Sequence, residues 1–220
     1  MKTLQLKLLF TISLFCMAVV ALAQNSYVYV SAQGSNLIAV YSMNQTDGSL
    51  VKVEDKAVSG GPASIALSPD KKFIYVSQRS AKTFSSFSID AATGKLSLIN
   101  TIPALDNPVN IATDNTGNFL LSVYYAASKA AIYSINAATG NLTATPLSSF
   151  TTAGINPHAI KTDPSNQFVY LTNMNGNAIQ QFSFDEATGA LSPLSPPTIS
   201  PAVTDGPRHF VFHGTKNCVY

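Results

Sequence analysis

Tryptophan is absent from this 220-residue chain, cysteine occurs twice, and charged side chains make up only 11% of it, against the quarter usual in soluble domains. Cys16 lies in an apolar leader, so Cys218 stands alone in the mature sequence. A lone cysteine excludes an internal disulfide and any metal site built on paired cysteines. The 3 histidines come without a well-spaced acidic ligand, and no metal is implied. There is no Gly-x-Ser-x-Gly elbow, no phosphate-binding glycine loop and no His-Glu-x-x-His run, and no cofactor is implied. Lysine and arginine nowhere cluster, which removes the concentrated positive field that nucleic acid requires.

The leader has the layout of a cleavable export signal. Lys2 and Lys7 form a basic start, Leu8 to Leu22 an apolar stretch, and Ala21-Leu22-Ala23 a small-residue cleavage site before Gln24. Residues 1–23 are therefore expected to be a signal peptide and residues 24–220 the mature domain, exported to the periplasm or the extracellular space. Cleavage removes both leader lysines, so Lys plus Arg falls from 13 to 11 against 11 acidic residues, and the net charge becomes zero. No later run of 18 consecutive apolar residues occurs, so no membrane span is expected after signal cleavage.

What the chain does contain is a repeat. A turn of the form Asp/Asn-x-x-Thr-Gly-x-Leu occurs at Asp90 to Leu96, Asn136 to Leu142 and Asp185 to Leu191, with a looser copy from Gln45 to Leu50. Its glycines fall at 48, 94, 140 and 189, steps of 46, 46 and 49 residues. A second landmark, Gly/Asn-Pro, stands at 61, 107, 156 and 206. Each landmark precedes two alternating stretches, such as Ser64 to Leu67 with Phe73 to Ser77 and Ala159 to Thr162 with Phe168 to Thr172. A hairpin follows in each unit: Ser85 to Ile89 with Leu96 to Ile99, Ala131 to Ile135 with Leu142 to Thr145, and a third around Phe182 and Phe184. Period-two patterning with Gly, Asn and Asp at the reversals predicts antiparallel strands.

Four short strands per 46 to 50 residues is the period of a propeller blade. A β-sandwich also has many strands, but it does not restate one turn at near-constant intervals. The expected fold is all-β: a partial, open β-propeller of four-stranded antiparallel blades. Blades are expected at 61–105, 107–153 and 156–203, with an incomplete blade at 24–58 lacking its inner strand and the start of a further blade at 206–220, where Phe210 to Phe212 would form a strand.

Three segments in register with this repeat carry a resemblance: SPDKKFIYVSQR at 68–79, NPHAIKTDPSNQFVY at 156–170 and GPRHFVFH at 206–213. With these the chain resembles the lactonase family of seven-bladed β-propellers, which includes 6-phosphogluconolactonase and the carboxymuconate-lactonizing enzyme. The resemblance implies seven blades in a full-length relative, and hence a chain that is C-terminally truncated and impaired in turnover. It implies family roles for His158, for Arg208 and His209, and for Arg79, with an acidic partner just beyond Tyr220. The substrate it implies is a small anionic lactone or sugar acid.

The same residues make chemical sense by themselves. His158 opens an inner strand, where a neutral imidazole can take a proton. Arg208 offers a fork of donors for a carboxylate, a phosphate or a developing oxyanion. Arg79 follows a second strand and is placed to line the channel and bind substrate. Strand alternation puts His209 on the other side from Arg208, and His213 falls in a far turn. Tyr124 and Tyr125 end a second strand, within reach of a ligand or of the packing. The leading expectation is a lactonase-like hydrolase with His158, Arg208 and His209 catalytic and Arg79 and Arg208 binding substrate. An exported non-catalytic binding module and a lactonizing cycloisomerase are the alternatives. Export itself weighs against a cytosolic sugar-phosphate role, and open blade edges allow self-association.

Overall fold

The computed structural model describes residues 26–202, 205–216 and 218–220; the expected signal peptide lies outside the described residues. Fifteen strands form four antiparallel sheets, each a meander in sequence order. The first holds β1 (Ser26–Ala32), β2 (Leu37–Met43) and β3 (Leu50–Ala57), with a single 3₁₀ turn at Gln33–Ser35. The second holds β4 (Pro62–Leu67), β5 (Phe73–Gln78), β6 (Thr83–Ile89) and β7 (Leu96–Pro103). The third holds β8 (Pro108–Thr113), β9 (Phe119–Tyr124), β10 (Lys129–Ser134) and β11 (Ser148–Thr151). The fourth holds β12 (Pro157–Thr162), β13 (Phe168–Asn173), β14 (Ala178–Asp185) and β15 (Ala190–Ile199). This is an open, partial β-propeller, as the repeat predicts.

The core lies between the sheets. Every residue of β5 and of β9 is buried, because each second strand faces a neighbour on both sides. Ile74 and Val76 pack back on Ile38 and Val40 of the first sheet, while Phe73 and Tyr75 pack forward on Ile111 and Leu120 of the third. In β9 the alternation continues, with Leu120 and Tyr124 facing back and Phe119, Leu121 and Val123 facing forward.

The repeated turn locks these seams. In Asp90 to Leu96 the Asp90 carboxylate accepts from the Ala92 and Thr93 amides, both at 2.9 Å, and Gly94 N–H closes on the Asp90 carbonyl at 2.7 Å. Asn136 and Asp185 build the same turn. The glycine is required twice over. Gly94, Gly140 and Gly189 have φ of +73 to +74°, and a Cβ on them would lie 2.3 Å from the Tyr27 ring, 2.4 Å from Phe73 and 2.7 Å from Phe119. Each turn thus seats on the first aromatic of the preceding blade's second strand. Glu54 and Asn100, from the preceding outer strands, accept the Leu96 and Leu142 amides across the same seams.

Near the axis, β4, β8 and β12 lie side by side along a cavity of about 340 Å³ lined by Ser64, Asn110, Ala159, His209 and Phe210 among others. Ser64 Oγ accepts the Ile111 amide at 3.1 Å, and one blade on Asn110 Oδ1 accepts the Ile160 amide at 3.1 Å. Ala159 stands third in this series and has no side-chain acceptor.

Two strand expectations are corrected. Leu142 to Thr145 is not the fourth strand of its blade: Leu142 makes only an isolated bridge to Ile135, and the strand proper is β11. The other outer hairpins carry a bulge here, as at Ser86/Phe87. In this blade the ladder stops after the Thr143 amide and resumes at Leu147, with Pro146, which has no N–H to give, between them. Phe210 to Phe212 is likewise not a strand but one bridge, Phe212 to Val219, flanked by paired backbone bonds between Val211 and Tyr220 at 2.9 Å.

The seat makes a stability test. Gly48 has the same φ, +74°, but nothing lies within 4 Å of its would-be Cβ. Gly48→Ala should cost only the left-handed backbone penalty of about 1–2 kcal/mol. Gly140→Ala should add an overpacking cost of roughly 1–3 kcal/mol. Urea denaturation of the two variants checks this; equal midpoints would remove the seat as a source of stability.

Candidate active site

The mouth of each inner strand is irregular in the same way. Register shifts interrupt the pairing at Pro62/Ile65, Pro108/Asn110 and Pro157/Ala159, and a bulged residue is re-aimed out of the ladder. The bulge holds Val109 in β8 and His158 in β12. His158 is thereby turned out of the sheet at the start of its blade while its backbone stays anchored.

Arg208 arrives from the irregular segment after β15. Gly206 N–H donates to Asn177 Oδ1 at 3.0 Å, and Thr172 Oγ donates to the Arg208 carbonyl at 2.9 Å, which pins the segment to the fourth blade. Its Nε donates to His158 Nε2 at 2.8 Å, across 50 residues of sequence. Since Nε2 accepts, the neutral imidazole carries its hydrogen on Nδ1, and Nδ1 is buried with no hydrogen-bond partner. The His209 ring stands edge-on to His158 with centroids 4.7 Å apart, and the Tyr125 ring does so at 6.0 Å. Asn156 Nδ2 holds the Tyr125 carbonyl at 3.0 Å.

Strand alternation would separate Arg208 from His209, yet both meet His158. The reason is that residues 205–211 form no strand, so alternation has no hold there. Arg79 is half-buried after β5; its amide donates to the Gly61 carbonyl and its Nε to Asn107 Oδ1 at 2.8 Å. The positive charges of both arginines therefore act on one imidazole. Burial first, then the Arg208 charge and His209, push the His158 pKa from 6.5 down to about 4, with Arg79 adding in the same direction.

His213 lies elsewhere: its Nδ1 accepts the Thr215 and Lys216 amides, a turn-organising role. Tyr124 is fully buried and bonded to Tyr133 at 2.9 Å, so of the two tyrosines only Tyr125 reaches the site. Sequence reasoning did not single out Asn107 and Asn156; both belong to the Asn-Pro landmark, a signal that they share a position in the repeat. Among the described residues no group of three His, Cys, Asp or Glu side chains could hold a metal ion.

The His158 ring should titrate in a ¹H–¹³C NMR experiment with a midpoint near 4. Arg208→Met should raise the midpoint but leave it below 6.5, because burial is the first cause. The folded pKa lies below the unfolded one, so the unfolded chain binds the extra proton between them. The stabilising contribution of neutral His158 is thus complete above about pH 6.5 and is lost as pH falls through about 4. An unshifted midpoint in the wild type would contradict the site's electrostatics.

The family model for the lactonases, seven-bladed β-propellers, matches residues 55–154 and 150–220. No curated protein matches the chain. Among solved structures, a candidate 6-phosphogluconolactonase from Bacteroides fragilis superposes with a TM-score of 0.77 at 20% identity, covering 87% of this chain and 59% of its own. A candidate 6-phosphogluconolactonase from Bacteroides uniformis gives 0.74 at 22% identity, covering 88% and 54%. The periplasmic gluconolactonase of Pseudomonas aeruginosa gives 0.75 at 19% identity, covering 86% and 58%. The chain thus spans between half and three fifths of these relatives' length, and at such identities they share its fold. The turn repeat, the blade architecture and the match over both segments lead to one conclusion: this chain belongs to the lactonase family of seven-bladed β-propellers.

Proposed function

We propose that the protein is an exported lactonase-like hydrolase, resembling 6-phosphogluconolactonase, that opens the ring ester of an anionic sugar lactone. The observation that carries this reading is the 2.8 Å contact between Arg208 and the neutral His158 at the mouth of an inner strand. It puts a proton acceptor and an anion-binding fork at one point, the two functions that lactone hydrolysis requires. Family membership and the lactonase relatives support the substrate class; the periplasmic relative supports the location.

In this mechanism Arg208 turns from His158 Nε2 to the bound substrate, and a water attacks the lactone carbonyl carbon and gives its proton to the freed Nε2. The carbonyl oxygen becomes an oxyanion, held by a guanidinium N–H of Arg208. Collapse breaks the ring C–O bond, and the proton passes from His158 to the departing alkoxide, leaving a hydroxy acid. The His209 and Tyr125 rings, both edge-on to it, confine the imidazole. Arg208 also pairs with the anionic group of the substrate, together with Arg79 tethered through Asn107.

The test is continuous titration of the acid released from 6-phosphogluconolactone, glucono-lactone and an uncharged lactone, above the spontaneous rate. His158→Ala should lower kcat/KM by about 10²–10⁴-fold, and Arg208→Ala should lower it most for the phosphorylated substrate. Tight binding of the sugar acids without turnover of any lactone would instead support an anion-binding module.

A further inference from the structure

His158 cannot serve as a base in the arrangement described. A neutral imidazole has one lone pair available for a proton, and here Nε2 spends it on the Arg208 Nε–H. The other nitrogen carries the ring hydrogen and is buried. The base is capped, and the cap is the residue expected to bind the substrate.

The cap is also loosely held. The Arg208 side chain is exposed, and among the described residues no ion pair involves it. Its backbone is fixed through Thr172 and Gly206, so the guanidinium can swing while the chain stays in place. Among the described residues, the groups that face His158 are Arg208, His209, Tyr125 and the charge of Arg79, with no carboxylate. A guanidinium with no counter-charge prefers a carboxylate or phosphate to a neutral nitrogen acceptor. A carboxylate or phosphate offers the guanidinium full opposite charge and a second, parallel hydrogen bond, neither of which a single neutral nitrogen supplies.

We propose that Arg208 is a specificity-determining residue that releases the base only to an anionic substrate: the substrate's own carboxylate or phosphate draws the Arg208 Nε–H away from His158 Nε2 and uncovers it. An uncharged lactone leaves the cap in place and meets a site without a proton acceptor. The discrimination therefore falls on kcat as well as on KM. This rests on the hydrolase reading for its consequence, though the uncapping itself is an equilibrium property of the site.

Sulfate, which keeps its charge across the relevant pH range, is the probe. Sodium sulfate titrated into the protein should raise the His158 NMR midpoint by at least about one pH unit, while sodium chloride at matched ionic strength should not. The ¹⁵N shifts of the ring should show Nε2 losing its bound donor. Arg208→Met should start with a raised midpoint and ignore sulfate. The proposal is overturned if sulfate shifts the Arg208 Nε resonance while leaving His158 unmoved, or if sulfate moves neither. Kinetics separate this from the hydrolase reading. Equal kcat for charged and uncharged lactones sinks the uncapping and keeps the hydrolase; a full sulfate response without turnover of any lactone does the reverse.

Discussion

The seat of a turn glycine on the aromatic ring of the preceding blade is the contact on which the architecture depends. It occurs at Gly94 on Tyr27, Gly140 on Phe73 and Gly189 on Phe119. One residue solves two problems there: a backbone reversal with positive φ, and the close approach of a loop to a flat ring. Once it is in place, the second strands are enclosed on both faces. That explains why Phe73 to Gln78 can bury a continuous run where a one-faced sheet would alternate apolar with polar residues. The inner-strand bonds from Ser64 and Asn110 fix the same seams from the axis side.

The blades were legible because the turn needs glycine at one position and a cap residue four before it, and that demand recurs at each unit. The inner strands were legible from alternation after a fixed proline. What sequence reasoning missed lies where those constraints are absent. The outer strand at Ser148–Thr151 is displaced by the detour around Pro146, and no turn signal marks its start. The joint contact of Arg208 and His209 with His158 arises because residues 205–211 are held by side-chain bonds from Asn177 and Thr172 rather than by a ladder. A buried network was also invisible. Asp114, fully enclosed, accepts from Thr116, the Phe119 amide and Asn166, and Asn166 reaches Glu186 as well. Its members are 20 to 72 residues apart along the chain or hidden in turns that read as ordinary reversals.

Of the candidate site, the residue types and their positions in the repeat were readable, and the hydrogen bonding of His158 was not. Pro-His and Pro-Arg-His in register place three side chains at equivalent blade mouths. That one of them would cap another depends on a 2.8 Å contact between blade mouths, which no periodicity encodes. The direction of the His158 shift follows from the same placement, since burial and the charges of Arg208 and Arg79 both favour the neutral imidazole.

The interruption of the inner-strand series at Ala159 has a mechanical meaning for this site. At the two earlier seams a side chain at that position grips the next strand's amide; at the seam after the fourth blade the grip is replaced by the imidazole–guanidinium contact and the Thr172 bond to the Arg208 carbonyl. The candidate site has taken over part of the job of the joint. A ligand that binds both His158 and Arg208 would span that joint, as a rivet in the place where the alanine supplies none.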